Sequence, residues 1–580
     1  MSTEAPTVRT EVNDRAGGPK SRVVREAPTR NALVSTEASA AYPDVEHEPV
    51  LRIGDIQGNI VGGFNKDFQT LIFLRIDDAA AFRPWLGRFA DVVATADEVI
   101  AFNRLFKSTR RRRRYSGSVR ATWINIAFTH AGLAKLTGEA DQFTDTSFRS
   151  GMVAQSAALG DPTDADAEGN PRRWLVHDGQ DGADVLIIVA SDTIADLEAE
   201  VAQVEQSIFA PRREGRPVRS GVSIVFKEEG RTQPGALAGH EHFGFLDGVS
   251  QPGLRGRLSQ AHHDVLTPRQ NPDEPKDQGK PGQDLLWPGE FVFGYPGQDA
   301  DKEVHEEGHD SLFDDDENPV APEWAKDGAY LVFRRLRQDV FKFHSFLHEH
   351  AGPLHLTAAA LGARLVGRWA SGAPIMREPK YDNPRLADDE CANNHFEFEK
   401  ATVPTESASE DGQCEDMTYW QSPGDRSGDL CPFAGHIRKA YPRDDSPPGE
   451  AETQTHRLLR RGIAFGPSSR STPEVPVKDD VDRGLLFMAY MTSITGQFEY
   501  VTEHFVNDPD FREANAGVDA ILGQVQREDG GRERTFNVRI GGADHPLTAP
   551  DDWVIPTGGG YYFAPSMSAL KNVLAKQNGA

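Results

Sequence analysis

Apolar positions along the chain repeat one grammar. A short run of β-branched and aromatic residues is followed by a stretch whose apolar residues recur every three or four positions. TLIFLRI (70–76) precedes DDAAAFRPWLGRF (77–89), TWINIAF (122–128) precedes THAGLAKL (129–136), and DVLIIVAS (184–191) precedes DTIADLEAEVAQVEQSIF (192–209), each helix opening at an Asp or Thr cap. The pattern returns as AYLVFRRLRQ (329–338) with DVFKFHSFLHEH (339–350), and as GLLFMAYMTS (484–493) with ITGQFEYVTEHF (494–505). Five strand–helix pairs split in this way predict two similar α+β halves.

Polar stretches set the boundaries. Residues 1–47 lack apolar periodicity and read as a disordered or loosely packed tail. An N-terminal domain is expected over 48–255, a polar and acidic linking insertion over 256–320, and a C-terminal domain over 321–580 with its own irregular insertion at 379–429. The segments 262–290 and 297–319 are rich in proline and charge, and neither is expected to contribute to a core. Long loops such as 379–429 often wall a site.

Charge narrows the function classes. The 89 acidic and 63 basic side chains leave a net charge of −26, which repels nucleic acid and anionic membranes. The run Arg110–Arg114 is the exception and reads as a solvated loop. Three cysteines, Cys391, Cys414 and Cys431, with no C-x-x-C, argue against a disulfide framework or a cysteine zinc site and fit a reducing compartment. No apolar stretch approaches the roughly 20 residues that span a bilayer, and the N-terminus carries no apolar leader, so a cytoplasmic protein is expected.

Three short segments concentrate chemistry. GHEHFGFLDGVSQPG (239–253) sets glycines on both sides of Phe-Leu-Asp, so the chain turns tightly and presents Asp247 from a stiff loop. An Asp capping a turn is the plain alternative, and His240 and His242 lack the further ligands of a metal site. CPFAGHIRKAYPR (431–443) carries His436, able to ligate haem iron, near Arg438, Lys439 and Arg443, able to pair with propionates, although a lone histidine is more often structural. THRLLRRGIAFGP (455–467) carries Arg460 and Arg461 ahead of a glycine turn, and could equally be a basic helix end. A separate histidine group, His344, His348, His350 and His355, lacks the glutamate of an HExxH metal site.

Types and order together resemble the dye-decolourising peroxidase family, over about residues 50–575 and closest to its longer members. Its G-x-x-D-G motif appears as Gly244-Phe245-Leu246-Asp247-Gly248, followed by a histidine segment and an arginine segment of the family's kind. The resemblance implies two tandem ferredoxin-like domains of the α+β class, each a four-stranded antiparallel sheet with helices, enclosing one haem b per chain. It implies His436 as iron ligand, Asp247 as distal acid/base, and Arg460 rather than Arg461 as distal cation, because the family's arginine stands two residues before the position of Gly462. Arg443 is expected at a propionate, Leu485 and Phe487 on the distal wall, and Glu499 as the carboxylate accepting the His436 N–H. Tyr441 stands where the family commonly has asparagine. Hydrogen peroxide and bulky organic reductants such as dyes and lignin-like phenols are the implied substrates, with oxidation through surface residues for which Trp369, Trp420 and Tyr500 are candidates. Mn2+ is a further candidate reductant suited to the carboxylate-rich loops. An ionised Asp247 beside a guanidinium predicts an acidic optimum for dye turnover. A haem carrier or sensor would need the histidine but no Asp247–Arg460 pair.

Overall fold

The computed structural model describes residues 45–111, 119–179, 181–209, 212–213, 216–217, 220–404, 419–525 and 531–577. The N-terminal tail 1–44, Cys414 and the side chains of Arg110–Arg114 lie outside the described residues. Each predicted strand–helix pair forms where the pattern placed it. In the first half these are strand β1 (Phe68–Ile76), helix α1 (Ala79–Phe89), β2 (Thr122–Phe128), β3 (Val185–Ser191), α2 (Ile194–Phe209) and a further strand β4 (Val222–Arg231). The second half supplies β5 (Ala329–Gln338), α3 (Val340–Ala351), α4 (His436–Ala440), β6 (Ile463–Phe465), β7 (Gly484–Met491) and β8 (Val554–Ala564). Caps form as the sequence dictates: the Asp78 carboxylate accepts from the amides of Ala80 and Ala81, and Asp339 accepts from Lys342.

All pairings among these eight strands are antiparallel. The first half runs β4-β1-β3-β2 and the second β8-β5-β7-β6, the same order twice, as two ferredoxin-like sheets require. The sheets meet at both edges, through Phe465 beside Gly230 and Phe563 beside Phe128, and so close into a barrel without free edges.

Strand alternation sorts the side chains. Phe73, Leu186, Ile188, Phe333, Leu486 and Met488 fill the barrel interior. On the outer face of the first half, Ile72, Ile126 and Ile187 pack under α1 and α2 through Phe82, Trp85 and Val204. On the outer face of the second half, Tyr330, Val332, Ala489 and Met491 join the same apolar cluster, while Arg334, Leu336, Gln338, Leu485 and Phe487 of β5 and β7 border a cavity.

Two expectations need correction. Leu285, Leu286 and Trp287, inside the stretch judged too polar for a core, are buried, and Leu286 packs with Phe291 and Val292 into the barrel-interior cluster. Flanking charge diluted that short apolar triplet in the window average. Cys391 is disulfide-bonded, whereas Cys431 is a buried free thiol. Cysteine count and local spacing do not report pairing in space, and the reducing-compartment argument loses its premise.

Candidate active site

The GHEHFGFLDGVSQPG segment forms no regular element. Gly244 (φ +96°) and Gly248 (φ +72°) adopt backbone conformations that L side chains rarely reach, which explains the glycines bracketing Asp247. Glu241 stiffens the same loop: its carboxylate accepts from the amides of Phe243 (2.7 Å) and Phe245 (2.8 Å) and from the Gln338 side chain on β5. Asp247 is thereby held with Oδ1 accepting from Gly248 N at 2.6 Å and from Arg460 Nη1 at 3.2 Å. The Arg460 guanidinium is also fixed by Ser250 O at 2.9 Å, and Gln251 exchanges hydrogen bonds with the Arg460 backbone.

Across the cavity, α4 begins at His436. Its Nδ1 is hydrogen-bonded to Asp519 Oδ2 at 2.8 Å, so Nε2 is the nitrogen presented to the cavity. Asp519 is 0% exposed and oriented by the amides of Ile521 and Leu522, both 2.8 Å from its Oδ1. Burial alone disfavours charge on both partners, but the His436–Asp519 attraction outweighs it, raising the imidazole pKa and lowering that of the carboxylic acid.

One cavity of about 350 Å3 collects Asp247, Arg460, His436, Arg443, Leu485 and Phe487. Six of the seven residues assigned from sequence thus share one space. The exception is Glu499, which accepts from Ser147 Oγ (2.5 Å) and Tyr561 Oη (2.6 Å) rather than from His436. The expectation placed Glu499 on the helix after β7, where neighbouring Phe498 does face the cavity. That helix, Ile494–Val506, is π-wound. The carboxylate on the imidazole is instead Asp519, which VDAILG gave no periodic or motif signal to reveal.

Other assignments also resolve. Arg438 and Lys439 point away from the cavity: Arg438 is 1% exposed between Asp425 and Asp445, and Lys439 donates to Asp508 O. Arg443 lines the cavity, with Nη1 on Asn394 O and Phe396 O. Sequence reasoning missed two arginines beside it. Burial, reinforced by the neighbouring guanidinium of Arg443, pulls Arg368 down to about 9. Arg457 lies 3.6 Å over the Tyr441 ring and shares Asp284 with the Tyr441 hydroxyl. That arrangement accounts for tyrosine at 441.

A second, polar cavity of about 390 Å3, lined by Asn59, Lys66, Gln69 and His240, meets the first at Asp247, Glu241 and Arg460. Among the surface candidates, Trp369 is buried with its Nε1 on Glu378 O, Trp420 is 45% exposed, and Tyr500 stacks at 3.8 Å on His456, itself a cavity-lining residue. The alternative histidine group is structural, since both His344 nitrogens are engaged by Ser471 and Phe243 O. Among the described residues no group of three or more His, Cys, Asp or Glu is placed to hold a metal ion, and no helix is long and apolar enough to cross a membrane.

Comparison with known proteins agrees with this geometry. The model of the DyP dimeric alpha+beta barrel domain matches residues 55–224. Dye-decolorizing peroxidase msp1 of Mycetinis scorodonius is 30% identical over 542 residues, covering 90% of this chain and 88% of that protein. The solved structure of a point mutant of the dye-decolorizing peroxidase from Pleurotus ostreatus superposes with a TM-score of 0.71 at 31% identity, covering 91% of this chain and 100% of that one. A complex of a dye-decolorizing peroxidase with 2,6-dimethoxyphenol gives 0.66 at 25% identity over the same shares. The chain belongs to the dye-decolorizing peroxidase family of haem-containing oxidoreductases that use a peroxide as acceptor.

Proposed function

We propose that the chain holds one haem b against His436 and uses Asp247 and Arg460 to cleave hydrogen peroxide, then oxidises dyes and phenols. The donor set fits that group. A buried imidazole with its other nitrogen fixed by a carboxylate suits an iron ligand. Val366, Ile437, Phe487 and Phe505 form an apolar girdle, and Arg368, Arg443 and Arg457 suit acidic substituents at its rim. Haem, when bound, supplies the redox equivalents.

The chain's own contribution is to move protons and stabilise charge. Asp247 takes a proton from one oxygen of hydrogen peroxide and returns it to the oxygen that leaves as water. Arg460, always cationic and tied to Ser250 O, stabilises the negative charge that develops as the O–O bond breaks. Peroxide reaches the pair from the polar cavity on its outer side. Bulky reductants remain outside and give up electrons at the surface through Tyr500, with His456 bridging to the cavity. The reductants in this reading are organic, of the kind of the phenol bound to a relative.

The observation that carries this reading is the Asp247–Arg460 pair, 3.2 Å apart, in the same cavity as His436. A haem carrier has no use for such a pair. The test is a haemin titration followed by peroxide-driven oxidation of an anthraquinone dye and of 2,6-dimethoxyphenol. Asp247→Asn is expected to bind haemin like the parent but to lose about 10²–10⁴-fold in turnover, and Arg460→Leu about 10²–10³-fold. Haemin binding without peroxide turnover in the parent chain would make the protein a carrier.

A further inference from the structure

We infer that Tyr561 is an internal one-electron donor to the cavity, with Glu499 as the base that receives its proton. The inference rests on the peroxidase reading and concerns a tyrosine–carboxylate pair outside the catalytic machinery. Tyr561 on β8 is 0% exposed, and its ring lies 6.3 Å from that of Phe498, a cavity-lining residue whose ring is 6.0 Å from Phe487. The phenol is therefore one aromatic ring removed from the cavity wall. Its hydroxyl donates to Glu499 Oε1 at 2.6 Å, and Ser147 Oγ donates to Oε2 at 2.5 Å.

Two O–H donors converging on one side chain match an ionised carboxylate, which only accepts. Burying such a charge is costly, and a neutral glutamine could hold the same tyrosine more cheaply. What the carboxylate adds is basicity. No cation forms an ion pair with Glu499 among the described residues, and burial together with Asp145 and Glu503 raises its affinity for a proton. A second tyrosine–carboxylate pair, half-buried Tyr441 at the cavity with buried Asp284, is the instructive contrast. There Arg457 binds Asp284 at 2.7 Å and covers the tyrosine ring at 3.6 Å, which weakens the base and disfavours loss of an electron from the ring.

The step balances within the chain and the oxidant that peroxidase turnover provides. One electron leaves the Tyr561 ring toward the oxidised cofactor, the phenolic O–H bond breaks, and its proton forms a new O–H bond on Glu499. The products are a neutral phenoxyl and a carboxylic acid. An electron from an external reductant, with return of the same proton, restores both. Such a site stores an oxidising equivalent when no reductant is bound at the surface.

The test is electron paramagnetic resonance of the haemin-loaded protein frozen after hydrogen peroxide without reductant, with optical spectra recorded in parallel. In a Tyr500→Phe background, which removes the surface tyrosine, a tyrosyl signal is expected to remain; adding Tyr561→Phe is expected to abolish it, while adding Tyr441→Phe is not. In the same background Glu499→Gln, which keeps an acceptor for the hydroxyl but removes the base, is expected to lose it with Tyr561 still present. A tyrosyl signal of unchanged shape and intensity when Tyr561→Phe is added to Tyr500→Phe, or none in a parent chain whose optical spectrum responds to peroxide, overturns the inference and leaves the peroxidase reading intact. A parent chain without an optical response sinks both.

Discussion

The two half-barrels share a strand order and an interior, yet their outer faces part ways at one end. On the first half, Ile72, Ile126 and Ile187 pack in one apolar cluster with Phe82, Trp85 and Val204 of α1 and α2. On the second half, one end of the same sheet face carries Arg334, Leu336, Gln338, Leu485 and Phe487 and borders a cavity, while Tyr330, Val332, Ala489 and Met491 at its other end join the packed apolar cluster. One topology therefore serves once as a packed wall and once as the floor of a site. The difference is one of side-chain pattern, not of backbone path. A face that must hold a ligand forgoes the close packing that stabilises its twin.

The sharpest way to break this comparison is to cut an equal hole in each face. Ile187→Ala on β3 removes a 0% exposed side chain from a closely packed cluster and is expected to cost about 2–5 kcal/mol of unfolding free energy. Phe487→Ala on β7 removes a larger side chain from a wall that borders the cavity and is packed on one side only. It should cost the apoprotein well under half as much. Urea unfolding of both apo variants measures this, and equal losses would mean that the second face is as tightly packed as the first.

How far the sequence disclosed this arrangement follows from the same contrast. Period-two and period-3.6 patterns report burial against a regular partner, so β1, β2, β3, β5, β7 and their helices were legible. Strands β4 and β6 were less so. β4, VSIVFKEEGR, mixes charge into its run and is largely part-exposed, and β6 spans three residues. In the site, the glycines around Asp247 could be read from local backbone chemistry, whereas His436 and Arg460 were reached only through the order of segments that the family shares. Asp519 could not be read either way, because its role depends on a contact across 83 positions, while Glu499 stood in a motif-like setting and faced Tyr561 instead. The insertion also carried its information in Leu285–Trp287, too few residues to outweigh the surrounding charge.

A smaller effect tests whether the second face depends on hydrogen bonds where the first depends on packing. Asp519→Asn retains the size of the side chain but removes the charge that orients His436 and stabilises its N–H. Loss of such an outer partner typically lowers cofactor affinity or activity by about 10–100-fold. Haemin titration is expected to show a weaker complex, with the folded apoprotein retained. Unchanged affinity together with unchanged peroxide turnover would make the Asp519 contact purely structural.

The smallest effect expected is a change in how stability depends on pH, and it too separates the faces. Glu241 sits away from bulk water between the two cavities, and burial, opposed by the amides of Phe245 and Phe243 and reinforced by nearby Asp247, pushes its carboxyl up to about 7. The ordinary value in an unfolded chain is about 4.5. A raised acid pKa means that the folded state binds the proton more tightly than the unfolded state between those two values. Glu241 thus favours folding most below about pH 4.5, and that contribution declines as pH rises toward 7 and is constant beyond. In Glu241→Gln the decline is absent. Any stability deficit of the variant relative to the parent should therefore be greatest near pH 4.5 and shrink or reverse by pH 7. Ile187, on the packed face, sits in a cluster of aliphatic and aromatic side chains, so the deficit of Ile187→Ala should stay level over the same range. A Glu241→Gln deficit independent of pH would show that the carboxyl titrates alike in both states, and the two faces would then differ in packing alone.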